Sequence, residues 1–104
     1  MLRHIFIGPA LPDCTEAQLS GVVETLRELP SIVPWIRTLS VEKTLDWSGT
    51  KAVVLIAEFD SRNDWERYMH EPSHLALGDK IKDTIDLSRM TVVQTDAEAL
   101  HHPR

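Results

Sequence analysis

The sequence is poor in several features that whole classes of protein require. It contains one cysteine, Cys14, so neither an intramolecular disulfide nor a cluster of thiolate metal ligands can form. No apolar run approaches the roughly 20 residues that cross a bilayer, and the long apolar core of a signal peptide is missing from the first residues, MLRHIFIGPALPD. We therefore predict a cytosolic protein that has a free thiol and does not contact membranes.

Concentrated positive charge is also missing. The 104 residues include 16 acidic and 11 basic side chains, which gives a net charge of -5 at pH 7. No lysine or arginine cluster could neutralise consecutive phosphates, which argues against a nucleic-acid partner. A chain of this length forms a single hydrophobic core. We predict one domain over residues 1–96 and a polar C-terminal tail over residues 97–104.

Four segments have the composition and alternation of β-strands. The stretch AVVLIAEF is the most apolar and β-branched of the chain, so it is predicted to be a central strand. The predicted strands cover residues 2–7, 36–43, 52–59 and 90–95.

Helices are predicted between these strands. Thr15 and Gln18 have the spacing of a capping box, which indicates the start of a first helix. A second helix is predicted to start at Ser61 and to end before Pro72, because a proline obstructs the preceding helical turn. A further helical segment is predicted over residues 73–85.

The order strand, helix, strand, strand, helix pair, strand predicts an α+β domain. Its four-stranded antiparallel sheet would be covered by helices on one face only. An uncovered apolar sheet face in water normally marks an association surface. We therefore expect a homodimer.

Three polar rings are predicted to meet between the helices and the sheet. His74 lies on the apolar stripe of the segment after Pro72, Tyr68 lies on the inward side of the preceding helix, and His4 shares an apolar strand face. An imidazole can accept a proton at neutral pH, and a tyrosine can donate a hydrogen bond to a carbonyl or enolate oxygen. The predicted pocket walls are Phe6, Val22, Val23, Leu26, Val53, Leu55, Trp65, Leu77, Gly78, Ile81 and Gln94.

These residues support two hypotheses. In the first, a small-molecule enzyme uses His74 as general base, Tyr68 to orient an oxyanion and His4 to assist, for a cyclisation, isomerisation or lyase step. No redox cofactor is expected. In the second, the same residues complete the core of a non-catalytic stress-responsive or ligand-binding protein.

A metal site is the weaker interpretation of the histidines. The string HEPSH over residues 70–74 matches the H-E-x-x-H pattern of zinc proteases, in which two histidines share one helix face. Pro72 interrupts that helix, so His70 and His74 are expected on different axes. His101 and His102 are adjacent in the tail without other fixed donors, so no metal is predicted there either.

Four stretches, RHI, TEAQ, EFDS and YMHEPSHLALGD, make residues 2–95 resemble the stress-responsive dimeric α/β-barrel (Dabb) family. The resemblance implies a ferredoxin-like fold whose two sheets pack face to face in a homodimer. Tyr68, Pro72 and His74 match a family block in which Glu71 replaces a first histidine. In a polyketide cyclase of this family, residues matching Tyr68 and His74 close a ring by aldol condensation. An aspartate on the last strand of that enzyme supports its histidine, and the nearest counterpart of this aspartate here is Gln94.

Overall fold

The computed structural model describes residues 1–45 and 47–96, which form four strands and several helices. The predicted order of elements is confirmed. The elements are β1 (Leu2–Pro9), α1 (Glu16–Arg27), α2 (Leu29–Ile32), β2 (Thr38–Lys43), β3 (Ala52–Phe59), α3 (Arg62–Met69), α4 (Pro72–Leu75), α5 (Leu77–Ile81), a 3-10 turn (Leu87–Arg89) and β4 (Thr91–Asp96).

The two predicted helix starts are present as capped N-termini. The Thr15 side chain accepts a hydrogen bond from the Gln18 amide at 3.1 Å, and the Gln18 side chain accepts one from the Thr15 amide at 2.9 Å. These two bonds satisfy donors that a helix start leaves free. Ser61 caps α3 by accepting a hydrogen bond from the amide of Asp64 at 3.2 Å.

The prediction of one helical segment over residues 73–85 is wrong. The chain forms α4 and α5 instead, and α5 ends at Ile81. Beyond it, the carbonyl of Thr84 accepts a hydrogen bond from Leu11, and the amide of Asp86 donates one to Pro9. These bonds to Pro9 and Leu11 take the place of the hydrogen bonds that would continue the helix. They join residues far apart in the sequence, so local periodicity does not predict them.

The sheet has the strand order β2-β3-β1-β4, and every neighbouring pair is antiparallel. This order in a β-α-β-β-α-β chain is that of a ferredoxin-like fold, as predicted. The register pairs His4 with Ala57 on one side and with Gln94 on the other. Because paired residues share a sheet face, these three side chains point toward the helices.

The buried core lies between the helices and one sheet face. It combines the α1 stripe with the inward residues of β2 and β3, and its fully buried members include Leu19, Leu29, Val33, Val41, Val53, Phe59 and Ile85. On the opposite face, Ile5 pairs with Ile56 and Val93, and these side chains remain partly or largely exposed in the single chain. The sheet is therefore apolar on both faces but covered on one.

Gly8 is the position at which a side chain would disturb this packing most directly. A Cβ there would lie 2.7 Å from Cγ2 of Ile85 and 2.7 Å from Cζ of Phe6. Ile85 is buried and stiff at its branched Cβ, so it cannot move aside cheaply.

We expect Gly8→Ala to lower the free energy of unfolding by about 1–3 kcal/mol through overpacking. Gly21 is the matched control, because no atom lies within 4 Å of a Cβ at this exposed position within α1. Gly21→Ala should raise the free energy of unfolding by about 0.5–1 kcal/mol. Urea unfolding measures both values, and equal stability of the two variants would contradict the packing described here.

Candidate active site

His4 is buried at the centre of β1, with 3% of its surface exposed. Its Nδ1 accepts a hydrogen bond from the indole N–H of Trp65 at 3.2 Å, and Nε2 of Gln94 lies 3.1 Å from the same atom. Burial lowers the pKa of His4 to about 4, and the nearby His74 contributes to the same shift. His4 is therefore an uncharged imidazole at neutral pH.

Tyr68 projects from α3 into the space beside His4. Its ring lies 5.7 Å from the His4 ring in an edge-on arrangement and 5.2 Å from the Phe59 ring, measured between centroids. Only 2% of the residue is exposed, and burial raises the pKa of the phenol far above its ordinary value. Tyr68 thus keeps its proton and can serve as a hydrogen-bond donor.

His74 lies on α4, and its ring centroid is 4.1 Å from that of Tyr68. Burial lowers the pKa of His74, and the backbone of Met69 opposes part of the shift. Nδ1 is buried and has no hydrogen-bond partner among the groups that the structure describes. A neutral imidazole has one ring nitrogen without a hydrogen, and that nitrogen can accept a proton.

The break at Pro72 separates the two histidines of the HEPSH string. His70 is the C-cap of α3, and its Nδ1 lies 2.8 Å from the carbonyl oxygen of Glu66 on the protein surface. Pro72 is the first residue of α4, which carries His74. The two imidazoles thus lie on different helices, as predicted. Within residues 1–45 and 47–96, no three His, Cys, Asp or Glu side chains are grouped as metal ligands.

The three rings line a cavity of about 230 Å³ between the helices and β1. The predicted wall residues Phe6, Leu26, Leu55, Leu77, Gly78 and Ile81 also line it. No acidic, lysine or arginine side chain is among the lining residues, and apart from the three rings the wall is apolar. Leu75 and Met90 line it while 64% and 48% exposed, so they lie at its opening.

Five predicted wall residues lie elsewhere. Val22 and Val23 on α1 and Val53 on β3 belong to the closed core, and none of them lines the cavity. Trp65 and Gln94 contact Nδ1 of His4 and support the ring from outside the cavity. Wall residues absent from the prediction are Met69, Leu75, Leu87, Met90 and Val92.

The inward direction of one of these additional wall residues can be derived from strand pairing. Val92 is opposite Phe6 in the register, so once β4 is placed beside β1 its inward direction is fixed. Leu75, Leu87 and Met90 depend on the broken path of the chain after Pro72, for which the sequence has no periodic signal. His101 and His102, and the whole predicted tail over residues 97–104, lie outside the described residues, as does Asp46.

The family model for the stress-responsive A/B barrel domain, Dabb, matches residues 2–98. The chain therefore belongs to this family. No curated protein matches the sequence significantly. In the described parts of the chain, no helix is both long and apolar enough to cross a membrane.

Solved structures share the fold at low sequence identity. A dimeric protein of unknown function with a ferredoxin-like fold from Bacteroides fragilis is 23% identical, with a TM-score of 0.75 over 92% of this chain and 95% of its own. Hydroxynitrile lyase from Passiflora edulis is 14% identical, with a TM-score of 0.77 over 97% and 96%. A putative antibiotic biosynthesis monooxygenase from Nitrosomonas europaea is 18% identical, with a TM-score of 0.72 over 93% and 98%.

The lowered pKa values of His4 and His74 predict a loss of stability in mild acid. The unfolded chain takes up protons near a pH of about 6.5, whereas folded His4 does so near pH 4. Between these values only the unfolded state gains the proton. The urea midpoint should therefore fall as the pH is lowered from 7 to 5.

The variant His4→Asn should make this decline shallower, because asparagine retains an acceptor for Trp65 and Gln94 but does not titrate. His70→Asn, at an exposed position, should leave the decline as in the original protein. A midpoint that does not change between pH 7 and 5 would contradict burial of the neutral imidazoles.

Proposed function

We propose that the chain is an enzyme that transfers protons on an uncharged carbonyl or hydroxy compound. The observation that carries this proposal is the convergence of Tyr68, His74 and His4 on one apolar cavity. The cavity supplies a neutral base and neutral donors without any charged side chain. Such a set suits the formation of an enolate or the removal of a hydroxyl proton.

His74 is the general base of the proposed reaction. Burial lowers its pKa and so favours the neutral form at neutral pH, in which the ring nitrogen without a hydrogen can take a proton from a carbon next to a carbonyl group. The electron pair left behind moves to the carbonyl oxygen and forms an enolate. The Tyr68 hydroxyl donates a hydrogen bond to that oxygen, and His4 assists from the adjacent wall. The imidazolium of His74 then returns the proton to the product.

The chemistry of the wall restricts the substrate to uncharged molecules. A carboxylate or phosphate inside the cavity would lose its water shell without meeting a lysine or arginine. The cavity volume is about 230 Å³. A small aromatic or aliphatic ketone, or a cyanohydrin, fits this volume and polarity.

A lyase step uses the same groups. His74 would take the hydroxyl proton of a cyanohydrin, the carbon–carbon bond to the nitrile would break, and the released cyanide would take the proton. The hydroxynitrile lyase from Passiflora edulis has the same fold, which supports this reaction type among the aldol, isomerase and lyase alternatives. Which of these three reactions the protein catalyses depends on its substrate.

A non-catalytic ligand-binding protein is the second candidate, and one observation favours it. Among the residues that the structure describes, no carboxylate contacts His4 or His74, and Gln94 provides an uncharged amide beside His4. A carboxylate partner makes an imidazole a stronger base, whereas an amide can only orient it. The same cavity could then hold an uncharged ligand in a stress response without turning it over.

Catalysis can be tested with two uncharged probes. The protein should accelerate deuterium exchange of the methyl protons of acetophenone, followed by NMR, or release of benzaldehyde from mandelonitrile, followed by absorbance. His74→Ala should lower the rate by about 10²–10⁴-fold because the base is lost. Tyr68→Phe should lower it by about 10²–10³-fold because an oxyanion donor is lost.

His70→Ala is the matched control, since it removes an exposed histidine four residues from His74. It should keep full activity. Binding of a probe without turnover by the unmodified protein would support the second candidate. A rate unaffected by His74→Ala would contradict the assignment of the base.

We also propose that the chain works as a homodimer joined through the open sheet face. Ile5, Ile7, Val54 and Ile56 form an apolar centre on this face, and the Arg3–Glu58 ion pair lies at one end of it with N···O 2.9 Å. An apolar centre with a polar rim is the usual composition of a stable interface. The dimeric Bacteroides protein has the same fold, which supports this assembly.

Light scattering should therefore give twice the chain mass at micromolar concentration. Ile56→Arg should give the mass of one chain, because an arginine at the centre of the interface has no partner for its charge. Ile32→Arg is the control, since Ile32 is 38% exposed on α2, away from the sheet face. Far-UV circular dichroism should stay unchanged for both variants. A compact monomer of the unmodified chain would contradict the proposal.

A further inference from the structure

The hydrogen bonds of His4 determine which of its ring nitrogens carries the proton. An indole N–H can only donate, and Trp65 directs this group at Nδ1 of His4 at 3.2 Å. Nδ1 must therefore be the unprotonated, accepting nitrogen. The hydrogen of the neutral ring then resides on Nε2.

Gln94 on β4 contacts the same nitrogen of His4. A glutamine side chain alone could present either its oxygen or its NH2 group, but Trp65 has already made Nδ1 an acceptor. The Gln94 NH2 group, 3.1 Å away, is therefore the group that faces the ring as a second donor. The register that pairs His4 with Gln94 across β1 and β4 fixes this approach through the backbone.

The same helix positions two of the groups involved. Trp65 and Tyr68 are three residues apart on α3, so they lie on one helix face. Trp65 reaches Nδ1 of His4, while Tyr68 lies against the His4 ring with centroids 5.7 Å apart. A shift of α3 would move both contacts together.

We propose that Trp65 and Gln94 are positioning residues that hold His4 as a neutral Nε2–H donor, so that His4 stabilises a negative oxygen and never acts as a base. This inference rests on the proposed function for its catalytic meaning. The general assistance proposed for His4 above is thereby restricted to one role, the donation of a hydrogen bond from Nε2. Each of the three residues then has one role: His74 accepts the proton, and Tyr68 and His4 donate hydrogen bonds.

The groups around His4 disfavour its protonation. A hydrogen added to Nδ1 would face the N–H groups of both Trp65 and Gln94. The titratable groups that face the ring are Tyr68 on α3 and His74 on α4, and on β3 its paired residue is Ala57. None of these supplies a negative charge at neutral pH. The lowered pKa of His4 agrees with this arrangement.

The arrangement can be tested without a substrate, by NMR of the 15N-labelled full-length protein. Long-range proton–nitrogen spectra at pH 7 should show His4 as the Nε2–H tautomer with an unprotonated Nδ1. Trp65→Phe should produce a mixture of tautomers and raise the His4 pKa by about one unit or more. Gln94→Glu should shift the ring toward the Nδ1–H or doubly protonated form, because a carboxylate accepts that hydrogen.

Trp35→Phe is the matched control. Trp35 also donates its indole N–H to α3, to the carbonyl oxygen of Asp64 at 3.0 Å, but it does not contact His4. This variant should leave the tautomer and the pKa of His4 unchanged. An Nδ1–H tautomer in the unmodified protein, or equal effects of Trp65→Phe and Trp35→Phe, would overturn the inference. Absence of turnover on the probes would instead count against the proposed function and leave the tautomer result intact.

Discussion

The burial of His4 under the helices is the constraint on which the rest of the site depends. An imidazole in the middle of an apolar sheet face is costly unless its polar atoms have partners or open onto a cavity. Here Trp65 on α3 and Gln94 on β4 satisfy Nδ1. Both the docking of α3 and the pairing of β4 with β1 are thereby tied to one side chain. The His4 ring also lines the cavity.

Pro72 is the second constraint, because it changes the direction of the chain between two functional residues. It ends the continuity of α3 and starts α4, so Tyr68 and His74 approach one another from different helices with centroids 4.1 Å apart. A continuous helix would have carried His70 and His74 on one face instead. The same proline therefore prevents a two-histidine metal site and creates a tyrosine–histidine pair.

Local sequence patterns predict the fold well where the structure is governed by local rules. Alternation gave the inward direction of His4 and Phe6, and the capping box gave the start of α1. Long-range effects were not predictable in this way. The backbone bonds of Thr84 and Asp86 to Leu11 and Pro9 lie beyond Ile81, where the helical segment predicted to reach residue 85 ends early.

The residues that line the cavity were likewise only partly predictable from local sequence patterns. Val22, Val23 and Val53 share the apolar character of true wall residues, but the packing of α1 on β2 and β3 buries them in the closed core. The support of His4 by Trp65 depends on a separation of 61 residues along the chain, for which no spacing rule exists. The sequence could identify His4, Tyr68 and His74 as inward-facing, while the partners that set their protonation emerge only from the packed structure.

The central claim is that Tyr68 and His4 donate to one oxygen of an uncharged ligand while His74 faces the atom that loses a proton. A crystal structure with acetophenone bound tests it most directly. We predict that the carbonyl oxygen lies within about 3 Å of both the Tyr68 hydroxyl and Nε2 of His4, with the methyl carbon toward His74. A ligand bound elsewhere, or a cavity closed by side chains, would contradict the account.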